Sequence, residues 1–175
     1  MARLSAVAGR FYPSESGELR REVSQLLANA GAVKPREAVG MMVPHAAYAF
    51  SGPVAAATYA RAIVPDRVFV LAPNHTGLGA RVAIASDGPF VTPMGSVEID
   101  EDLARRFLAE CPEATRDDLA HAEEHGIEVH LPFLLARNPN VKVVAVCLRT
   151  MSCSLAESVG AAIAAAARAC GQPVL

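Results

Sequence analysis

Two spacings of apolar residues alternate along the chain. Apolar residues three or four positions apart, as in Leu19, Val23 and Leu26, predict amphipathic helices. Short continuous apolar runs that end at a proline predict buried strands, and residues 67–72 give the clearest of them. The predicted helices cover residues 16–31, 51–63, 101–110, 123–137 and 154–169, the fourth with a kink or a restart at Pro132. The predicted strands cover residues 38–43, 67–72, 81–85, 90–92, 97–99 and 141–148.

Strands that alternate with helices indicate an α/β fold, with three αβα layers around a central, mostly parallel sheet. Residues 90–92 and 97–99 are expected to form a hairpin around a Pro-Met-Gly turn. No linker or repeat divides the chain, so we expect a single domain over residues 1–175. The last residues, 173–175, look like the start of a further core strand. We therefore expect a truncated chain, or a sheet edge that a partner or a second copy covers in a homo-oligomer.

Composition and charge exclude several classes of function. Of the 175 residues, 52% are apolar and 19% are charged, which is typical of a globular domain with a sizeable core. The formal net charge is −2 and the pI is about 6.2, so no basic surface is available for nucleic acid. There is no apolar run of about eighteen residues and no apolar signal segment, so we expect neither a membrane span nor export. Four cysteines without a CxxC pair indicate buried, reduced thiols in the cytoplasm.

Two histidines occupy equivalent places after predicted strands. His45 follows residues 38–43 in V-P-H-A-A-Y, and His75 follows residues 67–72 in A-P-N-H. In open α/β sheets, ligands bind outside the carboxyl ends of the strands. If the two strands are neighbours, their ends lie about 5 Å apart, and the two imidazoles could reach one metal ion. The alternative is a pair of unrelated loop histidines that bond to backbone groups.

A further cluster of titratable residues is E-E-H-G-I-E-V-H-L-P-F, residues 123–133. His125 and Glu128 are three apart and share a helix face, whereas His130 points elsewhere. The spacing matches neither HExxH nor HxxEH, so a zinc-protease helix is not expected. Glu128 could orient a metal-bound histidine by accepting its second ring N–H. Alternatively, the segment is only a helix start, where two glutamates complement the helix dipole.

Other catalytic motifs are absent from the sequence. It contains neither a glycine-rich phosphate loop nor a G-x-S-x-G nucleophile turn. Cys147 lies within a predicted buried strand, where apolar surroundings raise the pKa of a thiol and make it unreactive. The histidines therefore carry the candidate chemistry.

Five sequence blocks are spread along essentially the whole chain. They are A-G-R-F-Y-P (8–13), V-P-H-A-A-Y-A-F-S-G (43–52), L-A-P-N-H (71–75), T-P-M-G (92–95) and E-H-G-I-E-V-H-L-P-F (124–133). Together and in this order they resemble the MEMO family, also called AmmeMemoRadiSam system protein B in bacteria and archaea. That family is similar in fold to class III extradiol dioxygenases, which hold non-haem Fe(II) with two histidines and a carboxylate.

The resemblance implies a metal site. His45 and His75 correspond to the two histidine ligands, Fe(II) is the expected ion, and copper or zinc are the alternatives. Family members take their third ligand from a cysteine near the end of a longer chain, and they carry an S-S-D-x-x-H segment. Both lie past Leu175, so the C-terminal part of the family fold is expected to be missing. Ala47 and Ala72 replace glycines of the family, which puts the loop geometry beside each histidine in question.

Two functions follow from the resemblance. The first is a metal-dependent, dioxygenase-like redox protein, from which ring cleavage is not expected because the segment that carries the base is missing. The second is a non-catalytic module that holds a peptide or a small anionic ligand in the same cleft. The residues expected to line this cleft or to orient the metal ligands are Tyr48, Asn74, His125 and Glu128.

Overall fold

The computed structural model describes residues 2–86 and 88–175 and has the predicted α/β architecture. Its helices are α1 (Ser16–Asn29), α2 (Tyr48–Arg61), α3 (Glu101–Glu110), α4 (His125–Glu128), α5 (Leu131–Arg137) and α6 (Cys153–Cys170), with a short 3-10 helix at Asp118–Ala120. Its strands are β1 (Arg67–Pro73), β2 (Val82–Ile84), β3 (Phe90–Thr92), β4 (Gly95–Ile99), β5 (Ala114–Arg116) and β6 (Lys142–Leu148).

The strands form one mixed sheet with β6 at its centre. β6 pairs in parallel with β1 over its whole length, from Arg67 opposite Lys142 to Pro73 opposite Leu148. On its other side, β6 pairs in parallel with β4 and antiparallel with β2. β3 joins β4 through the predicted hairpin, and β5 runs parallel to β2. The carboxyl ends of β1 and β6 therefore meet at one edge of the sheet, where the loop with His75 begins.

Helices cover both faces of the sheet and give the three predicted αβα layers. Because successive side chains of a strand point to opposite faces, Val68 and Val70 of β1 pack into a core with α1, α2 and α5. Phe69, between them, packs into a second core with α3 and α6. The larger buried side chains of the second core include Leu103, Phe107, Leu155 and Val159.

The predicted strand over residues 38–43 is wrong. This segment has no ladder partner among the described residues, and Val39 is 100% exposed. At the outer edge of β1, the backbone bonds to the C-terminal residue instead of to residues 38–43. The Phe69 N–H donates to the Leu175 carbonyl at 2.8 Å. An apolar run forms a strand only where a neighbouring strand satisfies its backbone groups. His45 therefore follows an extended segment rather than a strand.

Two predicted helices differ most from the structure, the second and the fourth. α2 begins at Tyr48, before the predicted start, so that Pro53 lies inside the helix. No side chain caps α2, and the Tyr48 N–H donates instead to the Phe11 carbonyl at 2.8 Å. The predicted helix over residues 123–137 is the pair α4 and α5. α5 restarts with Pro132 in its first turn, where the missing N–H of proline has no cost.

Helix α6 packs across the second face of the sheet. Its 18 residues have a hydropathy of 1.2, enough by length and composition alone to cross a membrane. In the structure, 22% of this helix is buried, and Leu155 and Val159 pack in the core with α3. A helix in the core of a water-soluble domain meets the same test, so length and composition do not distinguish the two.

The four cysteines are free thiols. Cys111 and Cys147 are buried as expected, and burial raises the pKa of Cys147 to about 12. Cys153, at the start of α6, is exposed, so the expectation of buried thiols is wrong for this residue. Cys153 is the first residue of α6, and the first residue of this helix that is buried in the core is Leu155.

A groove of about 640 Å³ runs along the outer edge of β1, between the segment 39–45 and α6. Val174 forms an isolated parallel bridge with Arg67 at one end of this edge. His45 and His130 line the groove towards its other end. The expected homo-oligomer that would cover this edge stays a prediction, which light scattering over a range of concentrations tests.

Candidate metal centre

Three imidazole rings meet beyond the carboxyl end of β1. His45 precedes α2, His75 lies in the loop after β1, and His125 is the first residue of α4. The ring centroids are 5.1 Å apart for His45 and His75, 4.3 Å for His75 and His125, and 6.0 Å for His45 and His125. One nitrogen atom of each ring lies within 4.8 Å of the other two. Nitrogens that bind one ion at about 2.1 Å are about 3.4 Å apart, so these nitrogens lie near the separation that a shared ion needs.

Asn74 shapes the loop that presents His75. Its backbone N–H continues the sheet by donating to the Leu148 carbonyl at 2.9 Å. Its side chain then closes the turn, because Nδ2 donates to the Leu78 carbonyl at 2.6 Å and Oδ1 accepts the Gly77 N–H at 2.8 Å. Asn74 therefore positions the loop around His75 by bonds within that loop.

The carboxylate of Glu124 orients His75. Its Oε2 accepts the backbone N–H of His75 at 2.6 Å, and its Oε1 lies 2.7 Å from the ring Nδ1. With Nδ1–H donating to the carboxylate, the lone pair of Nε2 is free for a metal ion. Glu124 also caps α4 by accepting the Gly126 N–H at 2.8 Å. Burial alone would raise the pKa of Glu124, but the bonds from His75 and Gly126 lower it below its ordinary value.

The other two histidines of the cluster favour the neutral form. Burial lowers the pKa of His45, and the nearby His75 lowers it further. Burial also lowers the pKa of His125, although the Glu124 carboxylate opposes that shift. Since only the neutral imidazole binds a metal ion, both rings stay ready to coordinate at a lower pH than an ordinary histidine.

In the part of the chain that the structure describes, neither Glu128 nor Tyr48 forms a hydrogen bond with a histidine ring. Glu128 is fully buried and accepts the N–H groups of Ala6 at 2.9 Å and Val7 at 3.1 Å. The Tyr48 hydroxyl is buried and donates to the Val129 carbonyl at 2.8 Å. The orienting contact that the sequence places at Glu128 is made by Glu124 instead.

Glu124 is the functional residue that the sequence reasoning missed. The reason is the helix boundary, because α4 begins at His125 and not at residue 123. This start makes Glu124 the residue that caps the helix, and its side chain turns back towards the His75 loop. An acidic residue directly before a helix is the one signal in the sequence that could have found it.

Alanine fits at both positions where the family usually has glycine. Ala47 has φ −58° and ψ 148°, and no described residue other than glycine has a positive φ. The Ala72 side chain fits because the residue packed against it, Gly126, has no Cβ atom. A Cβ atom at Gly126 would lie 2.9 Å from the Ala72 Cβ.

An open pocket of about 620 Å³ is lined by His45 and His125. Phe50 lines it with 83% of its surface exposed, and the Phe11 ring lies 4.7 Å from that of His125. Arg10 lines the same pocket and is exposed, and it forms no ion pair within residues 2–86 and 88–175. The centre thus opens on a surface with aromatic rings and one unpaired cation.

Comparison with known proteins places the chain among longer relatives. A family model described as Memo-like protein matches residues 3–175. A MEMO1 family protein of Methanopyrus kandleri is 42% identical over 93% of this chain and 62% of the relative. Those of Thermococcus kodakarensis and Methanothermobacter thermautotrophicus are 39% and 36% identical, over 100% and 98% of this chain. The chain spans 62–66% of the length of these relatives.

Proposed function

The chain belongs to the Memo-like protein family, and from this premise we propose that it holds one mononuclear transition-metal ion with His45, His75 and His125. The convergence of three ring nitrogens within 4.8 Å carries the proposal. Imidazole suits iron, copper and zinc, and Fe(II) is the ion that we propose, with copper and zinc as alternatives.

The surroundings of the rings support metal binding over a chance cluster. Glu124 accepts from the backbone and the ring of His75, as carboxylates do beside metal-bound histidines. Burial keeps His45 and His125 neutral to a lower pH than usual. Two rings that favour the neutral form, beside a third ring held by a buried carboxylate, suit metal binding better than a salt-bridge network.

We propose redox chemistry on a small molecule at this centre. When bound, the ion would supply Lewis-acid or redox chemistry, and the chain would supply orientation. His45 and His125 face the pocket lined by Phe11 and Phe50, so a substrate enters over an apolar floor. Arg10 at the same pocket offers a positive charge for an acidic group on that substrate.

An anaerobic Fe(II) titration tests the proposal. We expect about one ion per wild-type chain, and loss of binding in His45→Ala, His75→Ala and His125→Ala. His121→Gln serves as the matched control, because His121 is a buried histidine outside the cluster. Circular dichroism checks that each variant is folded. Unchanged stoichiometry in the three cluster variants would reject the metal centre.

A second candidate function is the binding of a peptide or a small anionic ligand without metal. The exposed and unpaired Arg10 beside Phe50 is the observation that favours it. Metal analysis of untagged protein, purified without chelator, separates the two functions. In the binding-module case the protein carries no metal, and Arg10→Gln weakens binding of an aromatic carboxylate such as benzoate to the metal-free protein.

We also propose a reducing compartment, the cytoplasm, for this protein. All four cysteines are free, and Cys153 is exposed. An exposed free thiol persists where glutathione keeps thiols reduced. Cell fractionation tests this, and recovery of the protein in an oxidising compartment would contradict it.

A further inference from the structure

The bonds of Glu128 all lead to one segment of the chain. Its fully buried carboxylate accepts from the backbone of Ala6 and Val7, from the Tyr12 hydroxyl at 2.5 Å, and from the Arg3 guanidinium. A buried carboxylate is costly unless it is paired and hydrogen-bonded. This one is, and within residues 2–86 and 88–175 every donor to it lies in residues 3–12, which we call the N-terminal strap.

Arg3 fastens the beginning of the strap to the segment that carries His125. Its Nη2 donates to the Glu124 carbonyl at 2.8 Å, and its Nε donates to the His121 carbonyl at 3.0 Å. Its guanidinium also forms an ion pair with Glu128, the last residue of α4. Arg3 thus bonds on both sides of His125, to the residue before it and to the end of its helix.

The other end of the strap reaches the element that follows His45. The Phe11 carbonyl accepts the Tyr48 N–H at 2.8 Å and so caps α2, which no side chain caps. The Phe11 ring lies 4.7 Å from the ring of His125. The Tyr12 and Tyr48 rings are 5.6 Å apart. One segment therefore contacts both α2, just after His45, and α4, which begins at His125.

We infer that the N-terminal strap sets the spacing of His45 and His125, and that Glu128 and Arg3 are the positioning residues that hold it. This inference rests on the proposed metal centre. Neither residue would bind the ion itself. Both act through the backbone segments that carry the ligands. Outer partners of metal ligands change metal affinity when they are mutated, commonly by about 10- to 100-fold.

The chain offers a matched control for a purely structural role. Arg67 and Asp100 form another ion pair of similar burial, with side chains 14% and 6% exposed and an Nε–Oδ2 distance of 2.5 Å. Arg67 is the first residue of β1, whereas His75 follows its last, so this pair lies at the opposite end of the strand. Breaking it should disturb the fold without reaching the centre.

Co(II) titration, followed by visible absorption, tests the strap. We expect Glu128→Gln and Arg3→Gln to bind Co(II) about 10- to 100-fold more weakly and with a changed ligand-field spectrum. Arg3→Lys keeps the charge and should restore part of the affinity. Asp100→Asn should lower the unfolding midpoint and leave Co(II) affinity and spectrum as in the wild type. Wild-type affinity and spectrum in both strap variants would overturn the inference.

A milder variant keeps the test decisive if Glu128→Gln does not fold. Tyr12→Phe removes one bond to Glu128 and keeps the ring against Tyr48. We expect a smaller but measurable loss of Co(II) affinity, and no loss would overturn the inference. Failure of the metal centre is distinguishable. If the wild type binds no Co(II), or if His45→Ala binds Co(II) as the wild type does, both proposals are overturned. If Co(II) binding depends on the histidines but the strap variants bind it as the wild type does, only the inference about the strap is overturned.

Discussion

The carboxylate of Glu124 holds His75 by two contacts, with Oε2 2.6 Å from the backbone nitrogen and Oε1 2.7 Å from the ring Nδ1. One buried side chain thus fixes the position of the histidine and the ring nitrogen that carries its proton. At the proposed centre, this pairing would orient the ring of His75 towards the metal ion.

Glu124→Gln should weaken metal binding by about 10- to 100-fold. The amide NH2 group replaces one carboxylate oxygen and cannot accept, so in this geometry one of the two contacts with His75 is lost. Zn(II) affinity, measured by competition with a chromophoric chelator, checks this. Glu123→Gln is the matched control, because its neighbouring side chain is exposed, and its affinity should stay at the wild-type value. Equal Zn(II) affinity in the two variants would contradict the orienting role.

Gly126→Ala should destabilise both the fold and the centre. The added Cβ would meet the Ala72 Cβ at 2.9 Å and Glu124 Oε1 at 3.3 Å, closer than atoms normally approach. We expect a loss of about 1–3 kcal/mol in the free energy of unfolding, together with weaker metal binding.

Gly160→Ala is the same substitution at an open position, and it should stabilise the protein. Gly160 lies within α6, and nothing is within 4 Å of the added Cβ. We expect a gain of about 0.5–1 kcal/mol, since glycine weakens a helix interior. Urea denaturation measures both variants. Similar changes in the free energy of unfolding of the two variants would show that the steric clash at Gly126 does not cause the destabilisation.

The protein should lose stability between pH 6.5 and 4. Burial lowers the pKa of His121 and of His130 to about 4, whereas the unfolded chain has histidine pKa values of about 6.5. The unfolded state therefore binds more protons in this window. The stabilisation is fully present above about pH 6.5 and falls as the pH approaches 4, by a few kcal/mol in order of magnitude.

Urea midpoints at pH 7.5 and pH 5 measure this dependence. His130→Phe keeps an aromatic ring against Tyr59 and removes the titrating group, so the difference between the two midpoints should shrink. A wild type with equal midpoints at both pH values would contradict the prediction.

Local patterns in the sequence are sufficient to predict most of the helices and strands. The predicted helix over residues 101–110 has the observed bounds of α3, where Asp100 caps the first turn by accepting the Leu103 N–H at 3.0 Å. The apolar runs at β1 and β6 form the paired strands of the sheet centre. These elements follow from short-range capping and from continuous burial, which a sequence displays directly.

Elements that depend on a distant partner could not be predicted in this way. Residues 38–43 are as apolar as a strand, yet no described strand lies against them. The rings of His45 and His75 lie 5.1 Å apart, although His45 does not follow a strand. Glu124 reaches His75 across 49 positions of sequence, a relationship that depends on how α4 packs against β1 and that no local spacing reports.

X-ray absorption of the Fe(II)-loaded protein counts the imidazole rings that bind the ion. We expect three imidazole nitrogens at about 2.1 Å from the ion in the wild type, and two in any form of His125→Ala that still holds iron. A wild-type spectrum with oxygen ligands alone, or with the same number of imidazoles after His125→Ala, would contradict the proposed metal centre.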